Sequence, residues 1–368
     1  MGRWVVAMSG GVDSSVAAAL LAAQGHEVVG VTLNLWPAWL PEPDDAFRAC
    51  CGVAAVEDAR AVARRLGIRH YVLNMREEFE REVIARFADE YARGRTPNPC
   101  IACNQAIKFS LLLARAEALG MDGVATGHYA RVDRDPSTGR YVLRRGRDPR
   151  KDQSYVLYGL TQAQLARVRF PLGEMTKEQT RSLARQFGLP VADKPDSQEI
   201  CFVPRGSYAE VVGRLRPQAL HPGPIVDTSG RVVGQHRGIG RYTVGQRRGL
   251  GVAGGPARYV VAIDASRNAV VVGGPDDLQA DGLVASDVNW VAVEGLDAPR
   301  RVEVRVRHGG QDITAEAVPG PEAGQVTVRF SRPQRAPSPG QAAVFYDGDI
   351  VLGGGTIDTV HLRAALPV

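Results

Sequence analysis

From residue 3 to about 127, short apolar runs alternate with segments whose apolar residues recur every three or four positions. The runs Trp4–Met8, Glu27–Leu33, Arg69–Leu73 and Gly123–Thr126 are too short for helices, and they predict strands. The intervening periodicity predicts helices over 14–24, 53–66, 76–93 and 104–119. Such alternation predicts a doubly wound α/β domain, a parallel sheet with helices on both faces. Ligands of such sheets bind at the carboxyl ends of the strands.

The pattern then changes. Tyr129–Asp133 and Tyr141–Arg145 flank the turn-forming Asp135-Pro136-Ser137-Thr138-Gly139 and read as a hairpin, with helices following near 161–168 and 176–187. Past about residue 205, Gly and Pro become frequent. Pro222-Gly223-Pro224, Gly249–Gly251 and Gly254-Gly255-Pro256 read as turns or loops. From about 280 the period becomes two, as in Val302–Arg307 and Val326–Phe330, which predicts half-buried strands of a small antiparallel β-barrel. The expected organisation is therefore three domains: 1–205, a small central domain 206–278, and a barrel 279–368. A length of 368 residues, large for one core, agrees with that division.

Composition narrows the class. No apolar run approaches the roughly 20 residues of a membrane span, and the N-terminus has one basic residue and a short apolar run, more like a strand than a signal peptide. The expectation is a cytoplasmic monomer with no membrane partner. The net charge of +5 permits a polyanionic partner without requiring one.

The sharpest local signal is Ser9-Gly10-Gly11-Val12-Asp13-Ser14-Ser15, directly after the first strand and opening a helix. Two glycines let the backbone approach an anion, and the helix N-terminus then presents its N–H groups to it. Asp13 would repel a phosphate unless a cation lies between, so Mg²⁺ bridging Asp13 and nucleotide phosphates is expected. The bland alternative is a Gly turn with a capped helix; the full string in strand–loop–helix context speaks against it.

Five cysteines in a cytosolic-looking chain do not read as a disulfide framework. Cys100 and Cys103 lie in Pro97-Asn98-Pro99-Cys100-Ile101-Ala102-Cys103-Asn104, with Cys103 near a predicted helix start, where a thiol pKa falls. Cys201 follows 98 residues after Cys103. A structural zinc site lacks a second ligand pair; buried inert thiols, catalytic thiols, and a three-cysteine iron–sulfur cluster with one open iron all stay in contention. Cys50 and Cys51 are adjacent, so aiming both at one centre is difficult, and they read as loop or core residues.

Together these strings resemble one family. The Ser9–Ser15 loop, Thr96-Pro97-Asn98-Pro99, Ile107-Lys108-Phe109, Ala125-Thr126-Gly127-His128-Tyr129, Lys151-Asp152-Gln153-Ser154-Tyr155, Lys194–Phe202 and Tyr242-Thr243-Val244-Gly245-Gln246-Arg247 are similar, in order, to motifs of the tRNA-specific 2-thiouridylases, which are ATP pyrophosphatases. The resemblance implies an N-terminal ATP pyrophosphatase (PP-loop) domain that uses ATP and Mg²⁺. It implies adenylation of the oxygen on carbon 2 of a tRNA wobble uridine, then replacement by sulfur from a persulfide donor or relay protein. It places ATP at Ala7, Met8, Ser9, Gly10, Gly11, Val12, Asp13, Ser14, Leu33 and Gly127. It places the target base at Asn98, Pro99 and Cys100, and other tRNA contacts at His128, Lys151, Asp152, Gln153, Arg305, Val306 and Gln341. Cys103 matches the nucleophile and Cys201 the persulfide carrier, ending as a disulfide that a reductant reopens. One departure stands out: well-known members carry Asp where this chain has Cys100, so Cys100, Cys103 and Cys201 also suit a branch that holds a [4Fe–4S] cluster.

Two basic clusters fit an RNA partner: Arg144, Arg145, Arg147, Arg150 and Lys151, and Arg237, Arg241, Arg247 and Arg248. Two other functions compete. Another adenylating enzyme, such as an amidotransferase synthetase, needs no thiol pair, and a non-catalytic tRNA-binding module leaves Ser9–Ser15 without a task.

Overall fold

A computed structural model describes residues 1–40, 52–196, 200–203, 208–252 and 256–364. Cys50, Cys51, Gly254 and Gly255 lie outside the described residues, as does 197–199 of the motif that ends in Cys201. The described chain divides into two compact units.

The first unit comprises 1–83, 100–205 and 349–351. Strands β1 (Arg3–Ala7), β2 (Glu27–Asn34), β3 (Arg69–Asn74), β4 (Gly123–Ala125) and a two-residue β7 (Val168–Arg169) form a sheet of order β3-β2-β1-β4-β7. Every pairing is parallel. The chain order reverses between β1 and β4, a switch point where ligands of such sheets bind. The central strands read as continuous apolar runs because helices cover both faces. Helix α1 (Val12–Ala23) is buried on most sides, its alanines allowing close approach. Val12, Val16 and Leu21 pack with Val6, Ala125 and Tyr129. Each large side chain so buried contributes roughly 1.5–3 kcal/mol. Helix α2 (Val53–Leu66) covers β2 and β3.

The antiparallel hairpin β5 (Ala130–Arg134) and β6 (Tyr141–Arg145) follows. Residues 350–351 add beside β6, and Asp349 ties the group by accepting from Arg131 at 2.6 Å and Arg144 at 2.8 Å.

The helix expected over 104–119 starts earlier, at Pro99, and runs to Ala118 through a π-helical stretch, Cys103–Leu111. Pro99 has the fixed φ that suits a first helical turn and no N–H to leave unpaired. The helix thus takes in Cys100 as well as Cys103.

The second unit comprises 84–99, 206–348 and 352–368, of which the described part ends at 364. Strands β8 (Gly223–Asp227), β9 (Val232–His236), β10 (Tyr259–Asp264) and β11 (Ala269–Gly273) form a sheet over Ile225, Tyr242, Val260 and Val272. Strands β12 (Gln279–Trp290), β13 (Arg300–Arg305), β14 (Ile313–Pro319), β15 (Val326–Arg335), β16 (Ala342–Asp347) and β17 (Ile350–Leu362) pair in the order β12-β15-β14-β13-β16-β17. A β12–β17 pairing closes them into a barrel. The expected period of two is visible in β14, where Ile313, Ala315 and Ala317 face the core and Thr314 and Glu316 the solvent.

Segment 84–99 belongs to this unit through its own contacts. Tyr91 stacks on Tyr208 at 4.6 Å, Asp89 pairs with Arg216 at 2.5 Å, and Thr96 N donates to Pro339 O at 2.7 Å. Among the described residues, no helix is long and apolar enough to cross a membrane.

Candidate active site

The loop after β1 has the geometry its sequence predicts. Gly10 adopts φ +66°, and a Cβ there would meet the Ala55 carbonyl oxygen at 2.3 Å, so only glycine fits. Gly11 caps α1 without any side-chain hydrogen bond to the first turn. The first N–H groups of the helix therefore keep their open valences and carry the positive end of its dipole. Ser14 Oγ accepts from Ser9 N at 3.1 Å, Ser15 Oγ donates to Gly11 O at 2.8 Å, and Lys194 Nζ donates to Gly10 O at 2.9 Å. Lys194 is also paired with Asp58 at 2.5 Å. Gly127, past the end of β4, lies so close that a Cβ would come within 2.6 Å of the Asp13–Ser14 backbone. Leu33 is buried in β2, and Met8 N donates to Val31 O. The loop and Gly127 thus meet where β1 and β4 end, while Leu33 lies in β2, paired with Leu73.

Asp13 is held from two sides. Lys177 Nζ donates to both its oxygens, at 2.7 and 2.8 Å, and the Tyr129 hydroxyl donates to Oδ1 at 2.8 Å. Burial, reinforced by the Asp13 charge, pushes the Tyr129 phenol far up, so it remains a donor at any ordinary pH. Lys177 also pairs with Asp196 at 2.7 Å, and Asp196 accepts from Lys151 at 2.8 Å and Arg181 at 3.2 Å. Burial alone would raise the Asp196 carboxyl; the Lys151 and Lys177 hydrogen bonds outweigh it and hold it below the usual range. Neither Lys177 nor Tyr129 was expected from the sequence to act at the site, although Tyr129, Lys194 and Asp196 stand within the motifs that resemble the family's. The available signal for Lys177 was its position directly after the cap Thr176, in a first turn that ordinarily favours acidic residues.

The thiols sit in different surroundings. Cys100, in the first turn of the helix beginning at Pro99, is exposed, and Cys103, one turn on, is buried. Cys103 is thus a full turn inside the helix rather than at its start, which weakens the dipole reason for a low thiol pKa. Its neighbour Asn104 is buried, donating to Val156 O at 3.0 Å and accepting from Lys108 at 3.0 Å. Cys201 is half-buried beside Phe202, whose ring meets Phe79 edge-on at 5.8 Å. Among the described residues no three His, Cys, Asp or Glu side chains converge to hold a metal ion.

The expected tRNA positions divide by environment. His128 is buried between Phe109 and Phe170, with Nδ1 2.6 Å from Thr126 Oγ1. Burial, then the Lys108 charge, lowers its pKa well below the ordinary value, so the ring is neutral. Asp152 accepts from the N–H groups of Gly146 and Ser154, both at 3.1 Å, and from Ser154 Oγ. Its carboxylate braces the turn after β6. Gln153 and Tyr129 exchange hydrogen bonds of 3.0 and 2.9 Å. In the second unit, Asn98 and Pro99 follow Thr96, whose carbonyl accepts from Gln341 Nε2 at 2.8 Å. Arg305 pairs with Asp312 at 2.9 Å over the Tyr346 ring, while the Val306 side chain belongs to the barrel core. The first basic cluster is largely ion-paired: Arg144 with Asp133 and Asp349, Arg150 with Glu178, Lys151 with Asp196. Arg237, Arg241, Arg247 and Arg248 are exposed.

Comparison with known proteins matches the chain throughout. Residues 2–205 match a family model described as the tRNA methyl transferase HUP domain, 210–274 the tRNA methyl transferase PRC-barrel domain, and 280–357 the aminomethyltransferase beta-barrel domain. A tRNA-specific 2-thiouridylase MnmA of Heliobacterium modesticaldum is 54% identical over 354 residues, covering 96% of this chain and 91% of that protein. One from Moorella thermoacetica is 53% identical over 356 residues, covering 97% and 99%. One from Symbiobacterium thermophilum is 52% identical over 360 residues, covering 97% and 92%. With a phosphate-type loop at the sheet's switch point and this identity along nearly the full length, the chain belongs to the tRNA-specific 2-thiouridylase family.

Proposed function

We propose that this protein is an ATP-dependent tRNA uridine 2-sulfurtransferase whose nucleotide phosphates lie on the Ser9–Ser15 loop. The observation that carries the reading is the uncapped N-terminus of α1 at the switch point between β1 and β4, with Asp13 in its first turn. Open amide donors and two glycines suit a pyrophosphate. One carboxylate suits Mg²⁺, which takes one or two carboxylates and fills its remaining sites from phosphates and water. ATP, when bound, supplies an adenylyl group that turns the uridine carbon-2 oxygen into a leaving group. The chain's own residues position that reaction: Lys194 anchors the Gly10 carbonyl, and Tyr129 and Lys177 orient Asp13.

The sulfur chemistry falls to Cys103 and Cys201. The terminal sulfur of a Cys201 persulfide attacks carbon 2, and AMP departs with the former carbonyl oxygen. The Cys103 thiolate then attacks Cys201 Sγ, breaking the sulfur–sulfur bond and leaving 2-thiouridine on the tRNA. The resulting Cys103–Cys201 disulfide is reopened by two electrons from an external dithiol, which is itself oxidised to a disulfide. The persulfide comes from a donor or relay protein. Cys100 is exposed, Cys103 buried and Cys201 half-buried, and the persulfide route uses only the last two.

The test is anaerobic thiolation by iron-free protein with ATP, Mg²⁺, wobble-uridine tRNA and a persulfide source, read as 2-thiouridine formed. Product at the rate of untreated protein is expected. Product only after cluster reconstitution would replace the persulfide–disulfide route with an iron-dependent one.

A further inference from the structure

Lys177 is placed where a cation is doubly disfavoured. It occupies the first turn of the helix Lys177–Gln186, at the positive end of the dipole. Its side chain is only 8% exposed, where an unpaired ammonium is costly. Two carboxylates offset both penalties: Asp13 at 2.7 and 2.8 Å, and Asp196 at 2.7 Å. A buried ion pair of this kind adds little stability over an apolar replacement of similar volume. A fold does not need a lysine there, and departures from local rules of this sort concentrate at functional sites.

What surrounds the ammonium identifies the function. One of its partners, Asp13, lies two residues past Gly11, in the turn whose open N–H groups face the loop. Tyr129 fixes Asp13 from the other side. The second partner, Asp196, shares its other oxygen with Lys151. Three ammonium hydrogens serve three carboxylate oxygens in the free chain. Any cation that takes a share of Asp13 frees one of them beside the loop.

We infer that Lys177 is a phosphate-binding residue of the ATP site, held in waiting by Asp13 and Asp196. With Mg²⁺ taking a share of the Asp13 carboxylate, the Lys177 ammonium would stay on Asp196 and turn its released donor to a pyrophosphate oxygen. This rests on the reading that phosphates occupy the Ser9–Ser15 loop, and the experiment separates the two.

The experiment is calorimetric titration of the full chain, without tRNA, with Mg²⁺ and α,β-methylene-ATP, which is not split, and separately with adenosine. Loss of one charge-assisted contact in Lys177→Met should weaken the analogue about tenfold or more while leaving adenosine within about twofold, and Lys177→Arg should recover most of the loss. A merely structural lysine would lower the melting temperature without moving the ratio of the two affinities, and that result overturns the inference. Tighter analogue binding at limiting Mg²⁺ also overturns it, because the ammonium would then be only a competitor of the metal. Gly11→Val, whose side chain grows from a position where a Cβ meets only Ser9 Oγ at 3.5 Å, reports on the loop itself. Unchanged affinity there overturns the loop reading; weakened affinity there with an unaffected Lys177→Met overturns the lysine alone. If Lys177→Met melts below the assay temperature, Lys177→Gln takes its place, keeping two donors for the carboxylates without the charge.

Discussion

The Tyr129 hydroxyl donates to Oδ1 of Asp13 at 2.8 Å and lies 2.9 Å from Thr180 Oγ1, so a tyrosine at the mouth of the β5–β6 hairpin aims a carboxylate in the first turn of α1. Tyr129→Phe removes that donor and leaves the Asp13 carboxylate to Lys177. A hydrogen bond to a charged group contributes about 1.5–3 kcal/mol. A loss near the lower figure is expected in chemical denaturation, together with a higher KM for ATP and an unchanged KM for tRNA. Unchanged KM for both substrates would show that the phenol braces the fold without setting the loop.

The neutral His128 ring makes a pH prediction with a definite sign. Its pKa is lowered in the folded chain, by burial and then by Lys108, while the unfolded value stays near 6.5. Below about 6.5 the unfolded chain therefore binds the extra proton and the folded chain does not, so this group's contribution to stability falls as pH drops from about 6.5. His70 and His236 are lowered as well, chiefly by burial, and act in the same direction. Denaturation midpoints of the parent and His128→Asn, compared between pH 7.5 and 5, should show a shallower acid slope in the variant. Parallel slopes would mean that His128 is protonated in the folded state.

Cys100 is exposed one turn from the buried Cys103. In the persulfide route it is dispensable, so Cys100→Ser should keep thiolation within about threefold of the parent, whereas Cys103→Ser and Cys201→Ser should each abolish product. Single-turnover assays with a persulfide source distinguish the three. Complete loss in Cys100→Ser would return it to the chemistry.

The Gln341 amide holds the Thr96 carbonyl, two residues before Asn98, at 2.8 Å. Gln341→Leu should free that segment. The expected result is a several-fold rise in KM for tRNA, a stability loss of about 1 kcal/mol and no change in KM for ATP. Equal changes in both KM values would mark a general unfolding effect.

Arg237, Arg241, Arg247 and Arg248 are exposed, while the cluster after β6 is largely engaged with carboxylates. Exposed arginines release counterions when they meet phosphates, so the slope of log affinity for tRNA against log salt should fall by roughly 0.7–0.9 for each one lost. Filter binding of Arg247→Ala and Arg248→Ala against Arg144→Ala would rank the clusters. An Arg144→Ala effect larger than the other two would reverse the assignment.

Much of the first unit was legible in the chain. The apolar runs of β1 to β4 and the periodicity of α1 and α2 depend on neighbours within a few residues, and the Ser9–Ser15 string specifies its own turn, since Gly10 has φ +66°. The period of two in β13 and β14 likewise reflects local alternation between core and solvent. Boundaries were less visible: the helix expected from 104 starts at Pro99, because proline suits a first turn.

What the chain could not disclose are relationships across long separations. Residues 76–93 read as one more helix of the N-terminal domain, yet Tyr91 and Asp89 within it, and Thr96 after it, find partners at Tyr208, Arg216 and Pro339. Asp152 and Val306 stood among tRNA positions, and only packing shows the first bracing a turn and the second filling the barrel core. Nothing in the sequence singled out Lys177; its burial against Asp13, 164 residues away, comes from the sheet order that brings α1 and the helix Lys177–Gln186 together. Sequence determined the local chemistry because backbone preference and periodicity act over a turn or a strand. Tertiary structure decided which charges face one another, because electrostatic pairing depends on distance in space and not along the chain.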